Sequence, residues 1–258
     1  MTRHDDLARI REALEAAAQA VKPFTPGDVA FDEKSSRGDP VTEADLAIND
    51  VLHRILPRPG EGWLSEETRD TTERLGHRRV WVVDPLDGTR EFVEGVPEWC
   101  ISVGLVEDGV PVAGGIYSPP GDLLVVGSVE TGVTHNGRPA GMTTRRSLEG
   151  ATILASRSEW KRGEWERYAR ASFQVVPCGS VAFKLAQVAV GMADGTWTLV
   201  PKHEWDVAAG AALVSAAGGA LFHADGSTPR WNQPSPKLPN FLAARAELLE
   251  EFRRKWVG

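Results

Sequence analysis

Leu7, Ile10, Leu14, Ala17 and Val21 recur at helical spacing and are followed by Pro23 and Pro26, which predicts an amphipathic first helix and its end. A polar stretch from Lys34 to Pro40 leads to Thr42, after which Leu46, Ile48, Leu52 and Ile55 form a second helical stripe stopped by Pro57 and Pro59. Two helices are therefore expected before any strand. Residues 80–83 are a short, largely β-branched run that ends at Asp84-Pro85, the pattern of a buried strand presenting Asp84 at its end. Residues 101–106 and 110–117, joined through Asp108-Gly109, read as an antiparallel hairpin. A further strand at 123–127 follows Pro120-Gly121, and Asn136-Gly137 marks another turn.

Around 141–150 the chain turns polar and basic, which predicts a boundary between an N-terminal α+β lobe (1–145) and a C-terminal α/β lobe (146–258). Beyond it, strands are expected at 152–155 and 174–176, with helices at 164–171 and 181–190. Asp206 is read as the N-cap of an Ala-rich helix closed by Gly218-Gly219. A strand near Leu221, a turn at Asp225-Gly226 and a last helix at 246–256 complete the pattern. The 258 residues exceed what one core of about 100–150 residues usually holds, in keeping with two lobes.

A net charge of -7, with Lys and Arg scattered, excludes the basic stripe of a nucleic-acid binder. Residues 1–11 carry Arg3, Asp5, Asp6, Arg9 and Arg11 with no apolar run behind them, so no secretory signal is expected. The longest apolar stretch, 207–222, is shorter than the ~20 residues of a membrane span. Cys100 and Cys178 have no CxxC or metal spacing and read as reduced core thiols of a cytoplasmic protein.

Chemistry concentrates in Asp84-Pro85-Leu86-Asp87-Gly88-Thr89, where two carboxylates leave a buried strand on a tight turn. Oxygen-only ligands of this kind select Mg2+ or Mn2+, and the Gly88 and Thr89 amides are placed to receive an anion. Taken alone, the same two aspartates could simply satisfy turn amides. Glu66, within Ser65-Glu66-Glu67-Thr68, could be one of a solvated charge pair, and Asp45 stands at capping-box spacing from Thr42. No G-x-S-x-G, Walker loop, G-x-G-x-x-G or H-E-x-x-H occurs, and a DxDx[TV] nucleophile motif fails because Asp87 stands three positions after Asp84.

Together, Lys34-Ser35-Ser36, the segment from Asp39 to Asp45, Ser65-Glu66-Glu67-Thr68, Asp84 to Thr89 and Trp205-Asp206-Val207-Ala208-Ala209-Gly210 resemble the inositol monophosphatase superfamily in order and separation. The resemblance runs from about Lys34 to the C-terminus, with Ser65 a departure where many relatives have Gly. It implies a layered αβαβα sandwich of the α+β class and a Mg2+-dependent phosphomonoesterase, with Mn2+ possible, Li+ inhibitory and a homodimer as the assembly. By the same resemblance, Glu66, Asp84 and the Leu86 carbonyl would hold one ion and Asp84, Asp87 and Asp206 a second, with Glu66 helping a weaker third. Asp45 and the Thr89 hydroxyl would orient and deprotonate the attacking water, and the Gly88 and Thr89 amides would hold the phosphate.

The ester itself is read from fewer residues. Leu199 stands where inositol-specific relatives carry a Glu that takes substrate hydroxyls. Gly179-Ser180 before an apolar helix and Arg230-Trp231-Asn232 look closer to the 3'(2'),5'-bisphosphate nucleotidase branch, whose substrate is 3'-phosphoadenosine 5'-phosphate. Gly179, Ser180, Lys184 and Asp206 are taken as substrate contacts, with Lys202 and Arg230 as further candidates for a second phosphate. Gly95 to Trp99 and the Lys34 spacing keep inositol monophosphatase and histidinol phosphatase as alternatives, and a non-catalytic phospholigand binder is the reading from another class.

Overall fold

The first helical stripe forms α1 (Arg3–Ala20), capped by Thr2, and the second forms α2 (Glu43–Ile55), where Thr42 Oγ1 accepts the Ala44 amide. The structure is a computed structural model that describes residues 2–33, 40–198 and 200–257; Lys34, Ser35, Ser36, Asp39 and Leu199, used in the reading of the sequence, lie outside the described residues. A short antiparallel pair, β1 (Phe31–Glu33) with β2 (Pro40–Thr42), precedes α2, which corrects the expectation that both helices come before any strand. Strands of three residues are too short to show an alternating pattern.

One sheet holds, in order, β3 (Glu61–Ser65), β4 (Arg79–Asp87), β5 (Cys100–Glu107), β6 (Val110–Ser118), β7 (Leu123–Ser128), β8 (Gly132–His135) and β9 (Arg138–Ala140). Only β3 runs parallel to its neighbour, with Ser65 beside Val83. Between β4 and β5 lies the short helix α3 (Thr89–Val93). The rest of the chain supplies β10 (Thr152–Ser156), α4 (Arg157–Lys161), β11 (Gln174–Cys178), α5 (Val181–Ala189), β12 (Gly195–Thr198), β13 (Lys202–His203), α6 (Glu204–Ala216), β14 (Ala220–Phe222), β15 (Lys237–Leu238), β16 (Phe241–Ala244) and α7 (Ala246–Phe252). Of these, β11-β10-β12-β16-β14 form a second sheet, and β13 pairs with β15.

The helix expected at 164–171 is absent: a single 3-10 turn, Glu166–Tyr168, stands there, and α4 precedes it at Arg157–Lys161. Gly163 at φ +77 ends the helical run, and tertiary packing then decides the path. Trp165 stacks on Trp197 with ring centroids 5.6 Å apart, while Tyr168 packs on Phe173 and Phe252. The last helix likewise stops at Phe252, before a wider turn at Arg253–Val257.

Three apolar cores bind these elements into five layers, the αβαβα order that the resemblance implies. Ile10 and Leu14 of α1 and Ile48 and Leu52 of α2 cover one face of the seven-stranded sheet against Trp81, Val83, Ile101 and Val103. Val80, Val82 and Ile116 on the other face meet α5 and α6, whose far sides pack on Leu154, Phe241 and Ala243 of the five-stranded sheet. The outer face of that sheet is closed by α7 and the Trp165 cluster. None of the described helices is long and apolar enough to cross a membrane.

What seats α6 so close to the first sheet is the absence of a side chain at Gly104 of β5 and Gly114 of β6. A Cβ on Gly114 would stand 2.5 Å from the Ala209 carbonyl oxygen, and one on Gly104 would stand 2.9 Å from the Ala209 amide nitrogen. Because α6 carries Asp206, this contact sets the height of a carboxylate over the end of β4. Gly114→Ala should therefore lower stability by about 1–3 kcal/mol through overpacking. Thermal unfolding should show a midpoint lower by several degrees, with Gly121→Ala, where a Cβ meets nothing within 4 Å, near the parent value.

Candidate active site

Alternation along a regular strand would send Asp84 and Asp87 to opposite faces. In β4 it does not hold: Asp84 pairs with Ser102 and Asp87 with Cys100, so three steps on β4 match two on β5. Pro85, which has no N–H to give the ladder, lies within this bulge. The extra residue turns Asp87 into the same cleft as Asp84. Since β3 and β4 are parallel, their C-terminal ends lie side by side, and Glu66, whose amide donates to the Val83 carbonyl at 3.3 Å, comes off next to Asp84. The third direction is supplied by α6. Its N-cap is His203, and Asp206 occupies the N3 position, accepting the His203 amide at 3.0 Å. This corrects the expectation that Asp206 is itself the cap.

Ligand oxygens of Glu66, Asp84 and Asp206 all fall within 4.8 Å of one another. Asp84 is buried and its Oδ1 accepts the Leu86 amide at 3.1 Å. Asp87 lines the same cleft, with Oδ2 taken by Ser180 Oγ at 2.7 Å and the Ala182 amide at 2.5 Å. Burial first, and then the charges of Asp87 and Glu66, push Asp206 up to about 8. Desolvated carboxylates this close repel one another, and a donor set of oxygens without sulfur or nitrogen is suited to a hard divalent cation.

Beside the cage, Thr89 Oγ1 lies 2.9 Å from Asp45 Oδ1 and 3.0 Å from the Leu86 carbonyl. The other oxygen of Asp45 accepts the Thr42 amide at 2.8 Å and the Thr42 hydroxyl at 2.6 Å, the capping box anticipated from spacing. Asp45 is 1% exposed and Thr89, not Asp45, lines the cleft, so Asp45 reaches it only through that hydroxyl. Gly88 adopts φ +101, and a Cβ there would stand 2.9 Å from the Glu98 carbonyl, so the tight exit into α3 requires glycine.

The cleft encloses about 380 Å³ and also takes in Glu91, Ser156, Arg157, Arg162, Gly179 and Lys202. Ser180, at the unusual φ of +53, caps α5 by accepting the Phe183 amide at 3.0 Å while donating to Asp87. Lys184 is buried and its ammonium donates to the Ser180 carbonyl at 2.5 Å and the Cys178 carbonyl at 3.4 Å. Desolvation lowers its pKa. Cys100 and Cys178 are buried free thiols, both pushed up by burial. Arg230 is not among the residues that line the cleft. Sequence reasoning missed Arg157, Arg162 and Glu91, and it named Glu98 only as part of the segment Gly95 to Trp99; the one local signal for Arg157 was Ser156, a helix-capping serine directly before it.

The model of the family described as "Inositol monophosphatase family" matches residues 4–256. An inositol-1-monophosphatase of Mesorhizobium japonicum is 34% identical over 93% of this chain and 92% of its own length. A 3'-phosphoadenosine 5'-phosphate phosphatase of Mycobacterium leprae is 32% identical over 99% of this chain and 100% of its own. The solved inositol monophosphatase of Anabaena superposes with a TM-score of 0.79 at 28% identity, covering 97% of this chain and 94% of that one. The chain belongs to the inositol monophosphatase family and is a metal-dependent phosphatase of small phosphorylated substrates.

Proposed function

We propose that the chain is a Mg2+-dependent phosphomonoesterase whose preferred substrate is 3'-phosphoadenosine 5'-phosphate. The observation that carries the reading is the convergence of Glu66, Asp84 and Asp206 within 4.8 Å, next to a hydroxyl paired with the buried Asp45. Two to three Mg2+ ions, or Mn2+ in their place, fit this donor set: Glu66, Asp84 and the Leu86 carbonyl would hold one, and Asp84, Asp87 and Asp206 another, with Li+ as an inhibitor. When bound, such ions lower the pKa of a water and offset the charge on the phosphoryl oxygens.

The protein's own residues do the rest. Thr89 Oγ1 orients the attacking water and passes its proton to Asp45, whose second oxygen is already fixed by Thr42 and cannot swing away. The Gly88 and Thr89 amides hold the phosphate, and Ser180 with the Ala182 amide keeps Asp87 from rotating. No carboxylate need become a phosphoenzyme. Gly179, Ser180 and Lys184 shape the substrate side of the cleft rather than offering free charge. The similarity over 99% of the chain to a phosphatase named for 3'-phosphoadenosine 5'-phosphate supports this ester, and the similarity over 93% to an inositol-1-monophosphatase supports inositol 1-phosphate as the second reading. A cytoplasmic homodimer completes the proposal.

Phosphate release from a panel of 3'-phosphoadenosine 5'-phosphate, inositol 1-phosphate and histidinol phosphate with Mg2+ tests the substrate directly. The first should give the highest kcat/KM, and a higher value for either of the others would refute the preference. Asp84→Asn should retain the fold and lose about 10²–10³-fold or more in kcat. A rate within threefold of the parent would place the chemistry elsewhere.

Metal binding should also depend on pH. Asp206, with its pKa up to about 8, keeps its proton at neutral pH in the metal-free chain, and a ligand must give that proton up. Apparent Mg2+ affinity should thus rise from about pH 6 to about pH 9, with release of on the order of one proton at pH 7. Titration calorimetry in buffers of different ionisation enthalpy measures that release. Release of no proton, or an affinity flat across this range, would contradict it.

A further inference from the structure

The phosphatase chemistry uses the acidic part of the cleft and leaves Arg157 and Arg162 without a task. Arg157 opens α4, Arg162 follows that helix, and Lys202 lies in β13; all three line the cavity that holds the carboxylates. Arg162 Nε donates to Glu164 Oε1 at 2.6 Å, which leaves Arg157 as the arginine whose pairing connects to the site. Its Nε donates to Glu98 Oε2 at 3.0 Å and its Nη2 bonds Glu98 Oε1, a two-point pair between residues 59 apart in the chain. The same Glu98 Oε2 accepts the Gly179 amide at 2.6 Å. One carboxylate thus ties the segment after α3, the start of α4 and the turn that delivers Ser180 to Asp87.

The pair is partly open to solvent, with side-chain exposures of 31% for Arg157 and 21% for Glu98, so its contribution to stability is small. What it does provide is orientation. The guanidinium plane is held by one edge, its other N–H donors meet no acceptor among the described residues, and Arg157 lines the cleft. A planar fork of that kind matches a phosphate through paired charge-assisted bonds, and it has nothing comparable to offer a polyol. The cavity of about 380 Å³ is also larger than one phosphate needs.

We propose that Arg157, positioned by Glu98, reads a second anionic group on the substrate, so that esters carrying two phosphates are preferred to those carrying one. This rests on the phosphomonoesterase reading above. Lys202 adds positive potential in the same cleft, where Arg162 is paired with Glu164, and Glu98 acts through Arg157 and does not touch the substrate.

The test compares 3'-phosphoadenosine 5'-phosphate with adenosine 3'-monophosphate, which share the 3'-ester and differ only in the second phosphate. The parent protein should favour the bisphosphate in kcat/KM by roughly tenfold or more, and Arg157→Met should cut that ratio by about tenfold. Arg157→Lys, which keeps the charge without the fork, should restore part of it. Glu98→Gln should raise KM for the bisphosphate more than it lowers kcat, a split that a general loosening of the fold would not produce. If Arg157→Met does not fold, the lysine and glutamine variants carry the comparison. An unchanged ratio in folded variants, or a parent ratio near one, would overturn the proposal. Release from inositol 1-phosphate with neither adenylate cleaved would overturn it while leaving the phosphatase reading intact; release from no ester would overturn both.

Discussion

Carboxylates crowded out of water repel one another more strongly as the surroundings become less polar, and in this cleft Glu66, Asp84, Asp87 and Asp206 face that repulsion together. Asp206 shows the consequence: burial, and then the charges of Asp87 and Glu66, raise its pKa to about 8. A fold that only needed to be stable would replace such a cluster with apolar packing. Keeping it makes sense where a divalent ion turns mutual repulsion into shared coordination and a phosphate dianion can then enter an acidic cavity.

Three separate devices bring the group together, and each belongs to a different level of structure. A bulge around Pro85 changes the face on which Asp87 appears. Parallel pairing places Glu66 beside Asp84 at two neighbouring strand ends. Glycines on β5 and β6 let α6 settle against the sheet, so that the third residue of a helix arrives over the same point. The supporting bonds are short and local: Thr42 holds Asp45, Ser180 holds Asp87, and the His203 amide holds Asp206. These contacts limit how far any of the carboxylates can turn, which is what preorganisation of a charged site requires.

Features written in adjacent residues were legible from the sequence. Pro85 and Gly88 punctuate the turn at Asp84, and Thr42 with Asp45 spells a capping box, so their roles could be anticipated without coordinates. The helices α1 and α2 followed from apolar spacing, α5 from an apolar run, and α6 from an Ala-rich run closed by Gly218-Gly219. Less was legible where distant segments decide the outcome. The aromatic cluster around Trp197 overrides the helix expected at 164–171. Glu61–Ser65 gives no clear alternation and becomes a strand because β4 accepts it as a parallel neighbour. The Glu98–Arg157 pair has no local signature, and nothing in the spacing of α5 indicates that Lys184 turns back to the Ser180 carbonyl.

The central claim is that these carboxylates form one divalent-cation cage, and anomalous diffraction from crystals grown with Mn2+ tests it most directly. The account predicts strong anomalous peaks coordinated by Glu66, Asp84, Asp87 and Asp206, with Thr89 adjacent. Peaks confined to other surfaces at saturating Mn2+, with these four side chains turned away from one another, would contradict it.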